Sequence, residues 1–201
     1  MTDLPAARPG SDPSDGDPRT NYERMTAGEL YLADDPRIVD EQAEAHRLME
    51  AVNATPAADR SGRDALLRRL LGSLGRDAVV RAPLYVDFGC NLAIGDRTFV
   101  NFGLVALDVA PISIGADCQL GPNVQLLTPI HPLDADLRRA KWEQASPITL
   151  GDNVWLGGGV TVLPGVTIGT DTVVGAGAVV SRDLPAGVLA VGTPARVVRR
   201  L

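Results

Sequence analysis

Residues 150–180 read LGDNVWLGGGVTVLPGVTIGTDTVVGAGAVV, and an aliphatic side chain recurs there at every sixth position: Leu150, Leu156, Val162, Ile168, Val174 and Val180. Glycine follows four of the six, at Gly151, Gly157, Gly169 and Gly175, and four residues after the first five stand Val154, Val160, Val166, Thr172 and Ala178. A period of six fits neither the 3.6 of an amphipathic helix nor the alternation of a long strand. It suits a triangular solenoid, in which three hexads, about 18 residues, make one coil of three short parallel strands. Aliphatic columns then point inward, and glycine relieves the corners. The chain is therefore expected to be mainly β, a parallel β-helix.

The same frame recurs upstream as Ile94-Gly95 with Thr98, Ile114-Gly115 with Cys118, and Leu120-Gly121 with Val124. About five coils fit between Ala82 and Val180. Composition agrees: aromatic residues are 4% of the 201 residues while glycines number 21, so aliphatic ladders must fill the interior. Cys90 and Cys118 are too few for a disulfide framework and lack metal-ligand spacing. Both read as reduced packing residues.

The frame slips twice, and slips in a solenoid map onto segments that leave the coil. Between Ala106 and Ile114 there is a two-residue excess, expected to form a corner bulge that presents Asp108. Between Leu126 and Leu150, residues 128–145 (TPIHPLDADLRRAKWEQA) must project as a loop, and loops held on rigid scaffolds often carry function. This one holds His131, one of two histidines in the chain.

Ahead of the repeat, residues 1–20 are rich in Pro, Gly, Ser and Asp and are expected to be a disordered tail. Residues 21–76 are expected to be a helical domain covering the first coil's open edge. Two short helices between Tyr22 and about Asn53, broken near Asp34-Asp35-Pro36, would precede a third capped by Ser61 and carrying Leu66, Leu67, Leu70, Leu71 and Leu74. Residues 77–201 then form the solenoid. A formal charge of −6 gives no long-range attraction to nucleic acid or an anionic bilayer. No apolar run reaches the roughly 20 residues a membrane span needs, which makes the cytoplasm the expected location.

Several stretches carry a resemblance: NVQLLTPIHPLD (123–134), PITLGDNVWLGGGVTVLPGVTIG (147–169), GTPARVVRRL (192–201) and GELYLADD (28–35). Together they resemble the maltose and galactoside O-acetyltransferase family, over nearly everything from Tyr22 onward. The hexad marks only the fold, whereas the His-Pro loop and the NVW segment mark this branch. The resemblance implies a left-handed winding, which the period itself does not dictate. It also implies a homotrimer with acetyl-coenzyme A bound between neighbouring solenoids, and direct attack by an acceptor hydroxyl without an acetyl-enzyme.

Acyl transfer to a hydroxyl needs a base, and imidazole is suited to that task near neutral pH. His131 matches the family's catalytic base. Gly158 matches the position whose backbone amide stabilises the oxyanion, and Asn101 the active-site asparagine. Asp87 and Asp108 match positions that bind acceptor hydroxyls, as carboxylates that accept two hydroxyls do well. Glu143 either orients His131 or contacts the acceptor. Asp34 is placed to close the acceptor site, though it and Asp35 align ambiguously. For coenzyme A, the resemblance implies phosphate contacts from Arg182, Arg196, Arg199 and Arg200 near the C-terminus, backbone contacts from Ala176 and Ser181, and Trp155 either as a wall at the thioester or as an anchor between subunits. His46, on a helix, reads as a solvated or packing residue.

Other functions fit less well. A γ-type carbonic anhydrase shares the solenoid but needs three histidine ligands, and the chain has two; no metal is expected. A serine or chloramphenicol acetyltransferase is nearer, but the GELY and HPLD segments favour the sugar branch, while a non-sugar alcohol or amine acceptor stays open. A non-catalytic structural solenoid has no need of an excursion bearing a histidine.

Overall fold

The structure, a computed structural model, describes residues 13–201. Residues 1–12, part of the expected disordered tail, lie outside the described residues. From Ser73 onward the chain winds as a parallel β-solenoid with three faces. Face 1 stacks Ser73–Leu74, Leu92–Ile94, Ile112–Ile114, Ile148–Leu150 and Thr167–Ile168. Face 2 stacks Val79–Val80, Phe99–Val100, Gln119–Leu120, Trp155–Leu156, Val173–Val174 and Val188–Val191, and the antiparallel strand Arg196–Arg200 closes its end. Face 3 stacks Leu84–Val86, Leu104–Leu107, Gln125–Leu127, Thr161–Val162 and Val179–Val180. The solenoid thus begins nine residues before Ala82, inside the segment expected to be helical. One hexad there, Leu74 and Val80, was too short to register as a repeat.

All six aliphatics of the founding hexads are buried, none more than 2% exposed. They stack in register, Leu150 on Ile114 and Ile168, Leu156 on Leu120 and Val174, Val162 on Leu126 and Val180. Thr98 and Thr172 enter the interior with partners: their hydroxyls donate to the carbonyls of Gly115 (2.7 Å) and Pro185 (2.8 Å). Cys118 packs beside them as a buried thiol, whereas Cys90 is exposed and is not a packing residue.

Glycine's role at the corners differs from the expectation. The residues with positive φ are mostly two places later, at Arg97, Asp117, Asn123, Asn153 and Asp171. The glycine itself is needed for close stacking: a Cβ on Gly115 would stand 2.6 Å from the backbone of Gly151, and one on Gly157 2.5 Å from the nitrogen of Ala176.

Three helices cover the first coil. Helix α1 (Asn21–Thr26) opens with a capping box between Thr20 and Glu23. Helix α2 (Pro36–Ala54) is the second of the expected pair, with the break between them where it was expected, but at 19 residues it is not short. Asp35-Pro36 starts it, as N-cap and first-turn proline, and nothing breaks it before Thr55. Helix α3 (Arg60–Leu70) is capped by Asp59, whose carboxylate accepts from the Gly62 N–H at 2.9 Å, not by Ser61; Leu71 ends it and Leu74 belongs to the solenoid. Ile38, Ala45, Leu48 and Val52 of α2 and Leu67 and Leu70 of α3 are buried, and all but Ile38 join the solenoid core with Leu74, Val80 and Leu84. No helix among the described residues is long and apolar enough to cross a membrane.

Residues 13–20 are ordered rather than free. The Arg24 guanidinium, 4% exposed, donates to the carbonyls of Leu30 (2.7 Å) and Pro13 (3.0 Å) and pairs with Asp17 at 2.7 Å. It also lies 5.7 Å from the centroid of the Trp142 ring. A buried guanidinium needs such partners, and the N-terminal segment supplies two of them.

Candidate active site

The excursion at 128–145 is a built arm, not an irregular loop. Strands Pro129–Ile130 and Trp142–Ala145 pair antiparallel, with helix α4 (Ala135–Arg139) at the tip. Tyr31–Leu32, the strand between α1 and α2, adds to its outer edge, with Tyr31 opposite Glu143 and Leu32 opposite Trp142. Gln144 Nε2 further donates to the carbonyl of Gly28 at 2.8 Å. The arm's base is fixed by Thr128, whose hydroxyl donates to Leu107 O (2.6 Å) and accepts from Ala110 N–H (3.0 Å). His131 stands exposed where the chain leaves the first arm strand, and Arg138 reaches back to the carbonyls of Pro132 and Leu133 at 2.8 and 3.0 Å. Among the described residues His131 makes no hydrogen bond. Glu143 makes no hydrogen bond to it; its Oε2 accepts from the Tyr31 hydroxyl at 2.9 Å.

At the adjoining corner between faces 3 and 1, Asp108 is fully buried, which corrects the expectation of a bulge that presents it. Its Oδ1 accepts from the N–H groups of Asp87 (3.1 Å) and Phe88 (2.9 Å), and its Oδ2 from Asn91 (3.1 Å). Burial pushes the Asp108 carboxyl up, and the backbone N–H groups pull it back. Its carboxylate is consumed in shaping the 87–91 turn, and the turn offers Asp87 instead. Asp87 is half-buried and pushed up to about 6, by burial first, then by Asp108 and Glu143, against a lowering pull from His46. The Tyr31 hydroxyl is raised by burial and by Glu143 beside it. Asp87, Asp108, Glu143 and Tyr31 thus form one acidic cluster. Asp34 is exposed outside it, while Asp35 is committed as cap and accepts from the N–H groups of Arg37 and Tyr22. A cavity of about 310 Å³ beside the turn is lined by Tyr22, Met25, Phe88, Cys90 and Asn91, and by none of the expected site residues.

The other expected residues lie elsewhere. Asn101, Gly158 and Ala176 share the corner between faces 2 and 3, at the far end of face 3 from Asp87 and the arm. The strand Leu104–Leu107 separates the two corners, about 13 Å at the usual rise per residue. This corner differs in sequence from the corner between faces 1 and 2 in carrying no acids at its second turn positions. At the corner between faces 1 and 2, two of the turn amides are taken up by carboxylates of the next coil, Asp96 accepting from Arg76 N–H and Asp152 from Ala116 N–H, each at 2.8 Å, while those of Asp96, Asp152 and Thr170 have no acceptor among the described residues. Here the second turn positions are Pro122, Gly158 and Ala176, without acids, and the N–H groups of Gly158 and Ala176 have no acceptor among the described residues. Trp155, 55% exposed, stands beside them on face 2.

The arginines do not gather as one cluster. Arg196, Arg199 and Arg200 line the exposed terminal strand on face 2, whereas Ser181 and Arg182 sit at the corner between faces 3 and 1. Among the described residues no group of three or more His, Cys, Asp or Glu could hold a metal ion.

Comparison with known proteins gives this arrangement its context. The maltose acetyltransferase hexapeptide capping motif matches residues 24–75, and the six-repeat bacterial transferase hexapeptide family matches 147–182. A maltose O-acetyltransferase structure from Clostridium difficile 630 superposes with a TM-score of 0.90 at 41% identity, over 91% of this chain and 98% of that one. The chain belongs to the maltose and galactoside O-acetyltransferase family. A galactoside O-acetyltransferase of Escherichia coli K12 is 35% identical over 89% of this chain and 88% of its own. A hexapeptide-repeat acetyltransferase from Vibrio cholerae, solved in complex with acetyl-coenzyme A, has a TM-score of 0.85 at 40% identity, over 91% of this chain and 99% of that one. The helical cap is accordingly the family's capping motif, and the solenoid is its hexapeptide-repeat transferase body. His46 is exposed on α2, in keeping with its reading as a solvated residue.

Proposed function

We propose that this protein transfers the acetyl group of acetyl-coenzyme A to a hydroxyl of a sugar in the cytoplasm, with His131 as general base. It works as a homotrimer in which the arm corner of one protomer faces the Gly158 corner of its neighbour. The observation that carries this reading is the division of the expected site between two ends of face 3: an unpaired imidazole on a braced arm at one end, two unpaired backbone amides beside an exposed tryptophan at the other. A second copy laid against face 3 unites them.

In that arrangement the acceptor's hydroxyls are held by the Asp87 carboxylate and by Glu143, and Asn101 lines the opposite wall. Asp108 acts through the turn it shapes. His131 takes the proton of the reacting hydroxyl as its oxygen attacks the thioester carbonyl, a transfer worth 10²–10⁴-fold in such reactions. The Gly158 N–H receives the oxyanion. Collapse breaks the carbon–sulfur bond, and the proton passes from His131 to the departing thiolate. Arg196 and Arg199 of one protomer and Arg182 of its neighbour meet the phosphates of coenzyme A, with Ala176 and Ser181 along the pantetheine.

The test is thiol release from acetyl-coenzyme A over a panel of maltose, a galactoside, simple alcohols and amines, with wild type and His131→Ala. Sugar-dependent release that falls about 10²–10⁴-fold in the variant, with acetyl-coenzyme A binding retained, is expected. Unimpaired release removes His131 as the base, and release with amines alone overturns the sugar acceptor.

A further inference from the structure

The helical cap meets the arm through one polar contact that packing alone does not require. The strand Tyr31–Leu32 is held from both sides. On the cap side, Leu30 O accepts from Arg24 Nε at 2.7 Å and the Leu32 N–H donates to Asn21 Oδ1 at 3.0 Å. On the arm side, Tyr31 stands opposite Glu143 and Leu32 opposite Trp142. Residues directly opposite in an antiparallel pair carry their side chains on the same face, with Cβ atoms about 5 Å apart. Register therefore sets Tyr31 beside Glu143.

The Tyr31 ring, 2% exposed, lies in a cluster with Met25 and Ile38 of the cap, Phe88, Val109 and Ala110 of the corner between faces 3 and 1, and Ala145 of the arm. A phenylalanine would serve that packing equally. Tyr31 is the only buried member of the cluster with a hydroxyl, and a hydroxyl taken out of water costs free energy unless it is bonded. Its one bond is the 2.9 Å donation to Glu143 Oε2. Burial, then the charges of Glu143 and Asp87, raise the phenol, so it keeps its proton and donates. Glu143 is half-buried, and its Oε1 has no hydrogen bond among the described residues. The terminal torsion of a free glutamate is broad and roughly two-fold. The bond from Tyr31 selects one orientation and leaves one oxygen open.

We propose that Tyr31 is a positioning residue of the acceptor site: its hydroxyl fixes the Glu143 carboxylate, leaving Oε1 to receive one hydroxyl of the acceptor. The cap thus takes part in acceptor recognition without touching the acceptor. This rests on the reading of Glu143 as an acceptor ligand, and the experiment separates the two. The full-length protein is compared as wild type, Tyr31→Phe, Glu143→Ala and the double variant, in steady-state kinetics with maltose as probe acceptor. A ¹³Cζ-tyrosine label is read by NMR alongside; the chain has three tyrosines, and the Tyr31 signal is the one lost in Tyr31→Phe.

In Tyr31→Phe the KM for maltose rises about two- to tenfold, the net worth of one hydrogen bond, while kcat and the KM for acetyl-coenzyme A stay unchanged. Adding Tyr31→Phe to Glu143→Ala raises the maltose KM no further, because the effect passes through Glu143. The Tyr31 signal shifts in Glu143→Ala. A merely structural Tyr31 would change stability without this coupling in the maltose KM. An unmoved Tyr31 signal, or effects on the maltose KM that add, overturns the proposal. A maltose KM raised by Glu143→Ala but not by Tyr31→Phe overturns it while Glu143 keeps its role. A shifted Tyr31 signal with the maltose KM unchanged in Glu143→Ala retires Glu143 from the acceptor site, and Tyr31 with it.

Discussion

Asp87→Asn is expected to make the protein more stable while impairing its chemistry, and only above a certain pH. The Asp87 carboxyl is pushed from an ordinary 3.8 to about 6 because it is half-buried beside Asp108 and Glu143. Below pH 3.8 the group is protonated in both folded and unfolded chains and contributes nothing to the difference. Between 3.8 and 6 the unfolded chain gives up its proton and the folded chain does not, so folding loses free energy as pH rises through the folded value. A difference of that size is worth about 3 kcal/mol at 1.36 kcal/mol per pH unit if water were fully excluded, and about 1–2 kcal/mol after discounting for the group's partial exposure. Asparagine keeps the shape without the charge. The variant should therefore melt about 3–6 °C above wild type at pH 8, by the scaling for chains of this length, and within error of it at pH 4. Scanning calorimetry across a pH series at fixed protein concentration reads this directly. A gain that is absent at pH 8, or equally large at pH 4, refutes the account of Asp87 as a carboxylate held against its electrostatic preference.

Arg24→Met removes the partner of Asp17 and the donor to Pro13 and Leu30. Residues 13–19 should then become protease-sensitive and the emission of buried Trp142 should shift red, best read in a Trp155→Phe background because the chain has two tryptophans. Gly115→Ala drives a Cβ to 2.6 Å from the backbone of Gly151 and should cost about 3 kcal/mol or more in equilibrium unfolding. Gly187→Ala meets nothing within 4 Å and pays only for its φ of +67°, about 1–2 kcal/mol. Equal costs for the two glycines would contradict the stacking explanation of the corners.

The solenoid was legible because its cause is local and repeated: each hexad declares the same inward position, and the register of Leu150, Leu156 and Val162 follows. What escaped the sequence was whatever depends on distant partners. Residues 128–145 look irregular because their strands pair with each other and with Tyr31, 112 residues before Glu143. Residues 13–20 look free because the arginine that orders them, Arg24, is buried against an arm residue, Trp142. Asp108 reads as a presented acid, and only the fold reveals three backbone donors converging on it. The family resemblance supplied the expected site residues from their motifs, but the motifs do not say that one chain divides those residues between two corners.

The three edges of the prism are not equal in their tolerance of change. From face 1 to face 2 the inward residues are always six apart (Leu74–Val80, Ile94–Val100, Ile114–Leu120, Leu150–Leu156, Ile168–Val174), and from face 2 to face 3 likewise (Val80–Val86 through Val174–Val180). From face 3 back to face 1 the interval runs eight (Val86–Ile94), eight (Ala106–Ile114), twenty-four (Leu126–Leu150), six (Val162–Ile168) and four (Val180–Leu184). Corner glycines wedged against the next coil lock the first two edges to a fixed gauge. The third is a seam where chain can be added or removed without disturbing the stack. Asp87, Asp108 and the arm are all mounted on it, so the part of the molecule proposed to meet the acceptor can be re-cut by insertion and deletion while the scaffold keeps its dimensions.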